Sequence, residues 1–271
     1  MSTSQFAKIN WADKSVRIEY QWVGVNDPSL PLIVFLHEGL GSVAMWRDFP
    51  QQLCEAANCR GLVYSRPGYG KSTPREKDET WQADFMHRQA FEVLPALFKA
   101  LDVDTTANPP ILYGHSDGGS IALLFAARYP MNISATIVVA PHIFVEDISV
   151  SSIEDAKIAY QTTDLRSKLA RYHDDVDSAF WGWNDIWLSP TFRHLNLTQA
   201  IKTITCPLLA IQGLDDEYGT LEQIRSIKHI LSNTQLLELP DCGHSPHRDQ
   251  PTALIDACAS FISPQPQPSA T

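Results

Sequence analysis

Six short runs of unbroken apolar character punctuate this chain, each bounded by Gly, Pro or a polar residue: "PLIVFLH" from Pro31, "RGLVYS" from Arg60, "PILYGH" from Pro110, "SATIVVAP" from Ser134, "PLLAIQG" from Pro207 and "QLLELP" from Gln235. A strand that shows one face to water alternates apolar and polar residues. A strand without that alternation is covered on both faces, as in a parallel sheet. Parallel neighbours cannot be joined by a tight turn and need a crossover, usually a helix. Helical spacing does appear between the runs, at 43–57, 81–101, 117–129, 220–231 and 251–262. One further strand, "VRIEYQWV", alternates instead, with Val16, Ile18, Tyr20 and Trp22 on one face. The expected fold class is therefore α/β, with a mostly parallel central sheet and helices on both faces.

One stretch breaks this rhythm. From 142 to 200 there is no strand signal, and aromatic residues are dense: Phe144, Tyr160, Tyr172, Phe180, Trp181, Trp183, Trp187 and Phe192. We expect a helical cap over 142–200, inserted after the sixth core strand, with 1–141 and 201–263 forming one core domain. The bland alternative is a set of extra helices packed on that core. The Pro- and Ser-rich tail, 264–271, is expected to be disordered. A length of 271 residues suits one large domain with an insertion.

Composition excludes several partner classes. With a formal charge of -10 and no run of basic residues, the chain offers nothing to nucleic acid or an anionic membrane. The longest apolar runs fall far short of the roughly 20 residues that span a bilayer. The first residues, "MSTSQFAKIN", show no apolar signal core, so a cytoplasmic location is expected. Five cysteines without CxxC spacing read as reduced thiols.

The chemistry concentrates around "ILYGHSDGGSIALLF", residues 111–125. Ser116 stands where a strand turns directly into a helix, and Gly114 and Gly118 flank it at two residues' distance. So tight a turn strains the serine backbone and crowds its neighbours, which glycine relieves. It also lifts the hydroxyl clear of the sheet and points a helix N-terminus at it. Ser116 could otherwise be a simple cap of that helix. Two further motifs lie beyond the carboxyl ends of later strands: "IQGLDDEYG", with adjacent Asp215 and Asp216, and "DCGHSPH", with His244 and His247. Open α/β sheets place their sites at that edge. His244 could instead be an ordinary loop residue. A metal reading of "HSPH" finds no third ligand cluster, so neither metal nor organic cofactor is expected.

Taken together, "FLHEGLGSVAMW", "YSRPGYGKS", "GHSDGG", "IQGLDDEYG" and "DCGHSPH" resemble the α/β-hydrolase fold superfamily over roughly residues 16–262, and in outline its esterase and amino-acid-ester hydrolase branch. The resemblance implies a Ser…Asp…His order of catalytic groups. Ser116 is then the nucleophile, His244 its base, and Asp216, three residues after Gly213, is favoured over Asp215 as the acid. It also implies an oxyanion hole from two backbone N–H groups, those of Asp117 and Gly39, with Leu40 the alternative to Gly39. Glu38 stands where such relatives usually carry glycine.

Two extra carboxylates, Glu38 and Asp117, thus fall near a site of developing negative charge. Either Arg66 pairs with Glu38 while Asp117 caps its own helix or bonds nearby backbone, or one carboxylate, Asp117 first, holds a cationic substrate group. His142, Trp183 and Trp187 are candidates for the substrate pocket, against ordinary packing. The expected activity is hydrolysis of a small-molecule ester or amide by a monomer or homodimer. Carbon–carbon cleavage, lactone hydrolysis and aminopeptidase action use the same groups, and a catalytically silent binder is the reading from another class.

Overall fold

The computed structural model describes residues 4–25 and 27–263; the tail expected to be disordered lies outside them. The described residues form one eight-stranded sheet. Its strands are β1 (Gln5–Trp11), β2 (Lys14–Gly24), β3 (Leu32–Leu36), β4 (Arg60–Tyr64), β5 (Ile111–His115), β6 (Ala135–Val139), β7 (Leu208–Gly213) and β8 (Gln235–Leu239). They lie in the order β1-β2-β4-β3-β5-β6-β7-β8. The first two pairings, β1 with β2 and β2 with β4, are antiparallel, and all others are parallel.

Covering of both faces explains the unbroken apolar runs. Along β3, Leu32, Val34 and Leu36 enter one hydrophobic cluster while Ile33 and Phe35 enter the other. All five are buried, and each such side chain contributes about 1.5–3 kcal/mol over its exposed state. The Ile33 cluster is closed by α1 (Phe49–Ala56), and the Val34 cluster by α2 (Phe85–Arg88), α3 (Leu94–Ala100) and α4 (Asp117–Arg128). Between β6 and β7 the chain builds α5 (Asp147–Thr162), α6 (Leu165–Leu169) and α7 (Val176–Trp187), with a single isolated bridge between Phe144 and Asn196. Then come α8 (Glu222–Ile230), α9 (Pro246–Asp249) and α10 (Pro251–Ile262), the last packing with α1. All five cysteines are free and buried. No helix among the described residues is long and apolar enough to cross a membrane.

Departures from the sequence expectations have local causes. The strand β1 escaped notice because only Ala7 and Ile9 face inward, and because its turn to β2 carries Ala12 and Asp13 at φ 49° and 58°. A two-residue turn of that hand normally announces itself by Asn-Gly. The helix expected over 43–57 is instead a 3-10 turn, Val43–Trp46, followed by α1, since Pro50 fits only a first helical turn. The helix expected over 81–101 starts at Phe85 and passes through a π-helical turn, Gln89–Val93, just ahead of Pro95. That proline ring cannot coexist with a regular bond to the carbonyl four residues back. At the sheet edge, β8 is only half covered, with Leu236 exposed.

Candidate active site

The end of β5 sets the site. Ser116 follows His115 with φ 53° and ψ -121°, a backbone state that costs a non-glycine residue about 1–3 kcal/mol. Its N–H donates to the Val139 carbonyl at 2.9 Å, and its own carbonyl accepts from Gly119 and Ser120 as α4 begins. A Cβ on Gly114 would lie 2.2 Å from the Gly118 carbonyl oxygen, and one on Gly118 would lie 2.1 Å from that of Leu36. The spacing of the two glycines is thus a steric demand of the turn and of its contact with β3.

The loops after β7 and β8 meet on the same edge. A Cβ on Gly213 would lie 2.0 Å from the Cys242 carbonyl oxygen, so the two loops run in backbone contact. Within them His244 presents both ring nitrogens to partners: Nδ1 lies 2.9 Å from Asp216 Oδ1 and Nε2 lies 2.9 Å from Ser116 Oγ. A carboxylate only accepts, so Nδ1 carries the proton and Nε2 is free to accept the serine O–H. Asp216 also accepts the Tyr218 N–H at 2.8 Å and a Gln212 side-chain N–H at 3.1 Å. Asp215, by contrast, is exposed. His115 Nε2–H donates to the His244 carbonyl at 2.7 Å and steadies the loop.

Electrostatics follows from these contacts. Burial alone would depress the basicity of His244, but the Asp216 hydrogen bond and charge, with Glu217 and Glu38 beyond, hold it above its ordinary 6.5. Burial likewise disfavours charge on Asp216, yet His244 and the Tyr218 N–H outweigh it and keep the carboxyl below its ordinary range. His142 is different: burial, with His244 nearby, pushes it down to about 3. It is therefore a neutral wall residue, packed edge-on against Trp187 at 4.9 Å.

A cavity of about 240 Å³ opens over Ser116, lined by Glu38, Gly39, Met45, His142, Ile153, Leu169, Trp183, Trp187 and His244 among others. The four expected pocket residues Glu38, His142, Trp183 and Trp187 all reach it. The backbone N–H groups of Gly39 and Asp117 have no partner among the described residues. No three His, Cys, Asp or Glu side chains among those residues converge where a metal could be held. His247 packs against Trp46 and Phe49 instead of reaching the cavity.

The two carboxylates behave otherwise than expected. Arg66 donates to the Glu38 backbone carbonyl at 2.8 Å, while the Glu38 carboxylate faces His115 at 3.6 Å and Arg248 at 4.0 Å. The Asp117 side chain does not cap its helix and is fully buried. It lies 3.5 Å from Arg66, accepts the Trp187 indole N–H at 3.1 Å and is not among the residues lining the cavity. Burial raises its carboxyl above the ordinary range, with Arg66 and Trp187 opposing. Sequence reasoning also passed over Gln212, although a polar residue inside a buried strand must find partners.

The buried neutral histidines carry a pH prediction. His142 and His247 are each lowered, chiefly by burial, from 6.5 to about 3, and His37 falls well below its ordinary value. The unfolded chain takes up their protons as pH drops below 6.5, so stability is lost between pH 6.5 and about 3. Each contributes a slope of about 1.4 kcal/mol per pH unit. His244, raised, acts in the opposite sense and in a different window: its contribution is lost as pH rises from 6.5 through its folded value and is constant below 6.5, so it does not cancel their slopes. Urea unfolding from pH 7.5 to 5 should show the midpoint falling from pH 6.5 downward, and His247→Phe should flatten the fall. A midpoint independent of pH over that range would contradict the assignment.

With this geometry in place, the comparisons with known proteins are consistent. The sequence model of the Alpha/beta hydrolase family matches residues 33–257. The sn-1-specific diacylglycerol lipase ABHD11 of Mus musculus is 24% identical over 267 residues, covering 88% of this chain and 82% of its own. Serine hydrolase BPHL of Homo sapiens is 27% identical over 250 residues, covering 87% of this chain and 79% of its own. The enol-lactonase from Burkholderia xenovorans LB400 superimposes with a TM-score of 0.74 at 19% identity, over 95% of this chain and 99% of its own. On the strength of the family match across most of its length, the chain belongs to the alpha/beta hydrolase family.

Proposed function

We propose that this hydrolase cleaves small carboxylic esters or amides through an acyl-enzyme on Ser116. His244 Nε2 takes the serine proton as Oγ attacks the carbonyl carbon, then returns it to the departing alcohol or amine. Water, deprotonated by the same nitrogen, releases the acid and restores the serine. Asp216 holds the Nδ1–H tautomer and stabilises the imidazolium. The N–H groups of Gly39 and Asp117 receive the oxyanion. The observation that carries this reading is the His244 ring, 2.9 Å from Ser116 Oγ on one side and 2.9 Å from a buried carboxylate on the other.

The helices between β6 and β7 act as a cap and shape the acyl site. Leu40, Met45, Ile153, Leu169, Trp183 and Trp187 supply its apolar wall, while Glu38, Glu217 and Arg248 line it as well. The acyl group is accordingly small and apolar. The Asp117 carboxylate is spent on Arg66 and Trp187 and recruits no ammonium.

A fluorophosphonate, which reacts with an activated serine, should label one site, and peptide mass analysis should place it on Ser116. Among activated esters, butyryl and benzoyl should turn over faster than aminoacyl. Labelling elsewhere, or none on folded protein, would sink the proposal; an aminoacyl preference would overturn the assigned acyl class.

A further inference from the structure

We infer that Arg66 is a positioning residue for the oxyanion hole, one guanidinium nitrogen clamping both of the peptide segments that supply its donors. The inference rests on the serine-hydrolase reading above. In a trans peptide the C=O and N–H point in opposite directions across one rigid plane. The Glu38 carbonyl and the Gly39 N–H belong to the same peptide unit, so whatever holds the carbonyl aims the N–H.

That carbonyl is held three times. It accepts from His37 Nδ1 at 2.7 Å, from Arg66 Nη2 at 2.8 Å and from the Gly41 N–H at 3.1 Å. The His37 ring is itself oriented by Arg66, whose backbone N–H donates to His37 Nε2 at 3.0 Å. Hydrogen bonds in series polarise one another, so three donors on the carbonyl make the Gly39 N–H a stronger donor as well as a fixed one.

The same Nη2 lies 3.5 Å from Asp117 Oδ2, and the Asp117 N–H is the other oxyanion donor. Two effects follow. The ion pair ties the head of α4 to the loop after β3, setting the distance between the two donors. It also balances a carboxylate that would otherwise oppose negative charge forming nearby. Trp187 completes the arrangement from α7, donating to Asp117 Oδ1 at 3.1 Å.

Stability alone does not account for this arginine. Its side chain is wholly buried, yet Nε and Nη1 find no protein acceptor among the described residues. A buried ion pair is generally no more stable than apolar side chains of similar volume. What apolar packing would not supply is the link from Asp117 to the Glu38 carbonyl.

The test uses two variants. Arg66→Met/Asp117→Leu removes both charges together, leaves the residue-117 N–H in place and strands no buried charge. Arg66→Lys keeps a cation able to reach the carbonyl. For each, kcat and KM are measured on a butyryl ester, together with inhibition by an alkyl trifluoromethyl ketone, whose serine adduct carries an oxyanion. Thermal unfolding is followed in parallel.

In the double variant kcat should fall about 100-fold, KM should stay within about threefold, and the ketone should weaken in step with kcat/KM. Arg66→Lys should recover part of each loss. A folded double variant with kcat and ketone affinity within about threefold of the original would overturn the inference. Turnover that survives Ser116→Ala would overturn the serine reading and this one with it. Serine-dependent turnover indifferent to residue 66 would overturn this one alone.

Discussion

Alanine at position 116 should leave a folded protein whose ester turnover is lower by at least about 10,000-fold. The size of the effect follows from the absence of any substitute at that point. Among the described residues His244 Nε2 has one hydrogen-bond partner, Ser116 Oγ, so in the proposed mechanism its removal leaves the base no hydroxyl to activate. In the proposed mechanism the Gly39 and Asp117 N–H groups and the cavity still bind substrate, so KM should change far less than kcat. Folding should survive, because the strain at this turn lies in the backbone, and alanine meets it no worse than serine does. Steady-state rates on a butyryl ester, with the unfolding midpoint measured alongside, check both halves. A variant that keeps more than a few per cent of activity would show that another group attacks.

The second large effect belongs to Asp216→Asn. Loss of the charge beside Nδ1 should reduce kcat by about 1,000- to 10,000-fold, since nothing then stabilises the imidazolium. The pH profile adds a sign. His244 must be neutral to act as a base, so activity rises with pH through its pKa, which Asp216 helps hold above 6.5. Removing that carboxylate removes the main raising influences and leaves burial, which lowers. The acid limb of the residual kcat/KM should therefore move to lower pH in the variant. An unmoved limb would mean that another group governs it.

The other partners of Asp216 sharpen the expectation. Both of its oxygens already receive N–H donors, from Tyr218 and Gln212. An asparagine must turn its amide N–H₂ toward one of these or toward His244, and every choice sets donor against donor or forces the wrong tautomer. Its deficit should for that reason exceed what loss of charge alone would give.

Much of this architecture is written in local pattern. An unbroken apolar run between Gly or Pro is a statement about two covered faces, and Leu32–Leu36 with its alternate side chains in two clusters shows it at one strand. The pairing of Gly114 and Gly118 around Ser116 is a steric condition on one turn, fully contained in a dozen residues. Such features are legible because neighbours in sequence cause them. The first strand was less so, since Ala12 and Asp13 make its hairpin without the residues that usually mark one.

What needed the tertiary structure was every choice between chemically equal candidates. Asp215 and Asp216 are adjacent and identical in type, and only the backbone contact of the β7 and β8 loops puts one on His244 and the other in solvent. Arg66 was expected on the Glu38 carboxylate; packing gave it the Asp117 side chain and the Glu38 carbonyl instead. The sequence by itself determined every strand but the first, the elbow and the residue types of the site, because these rest on local sterics and periodic burial. The tertiary structure alone decided which carboxylate faces which cation, because an ion pair depends on where two distant segments meet, and no spacing along the chain records that.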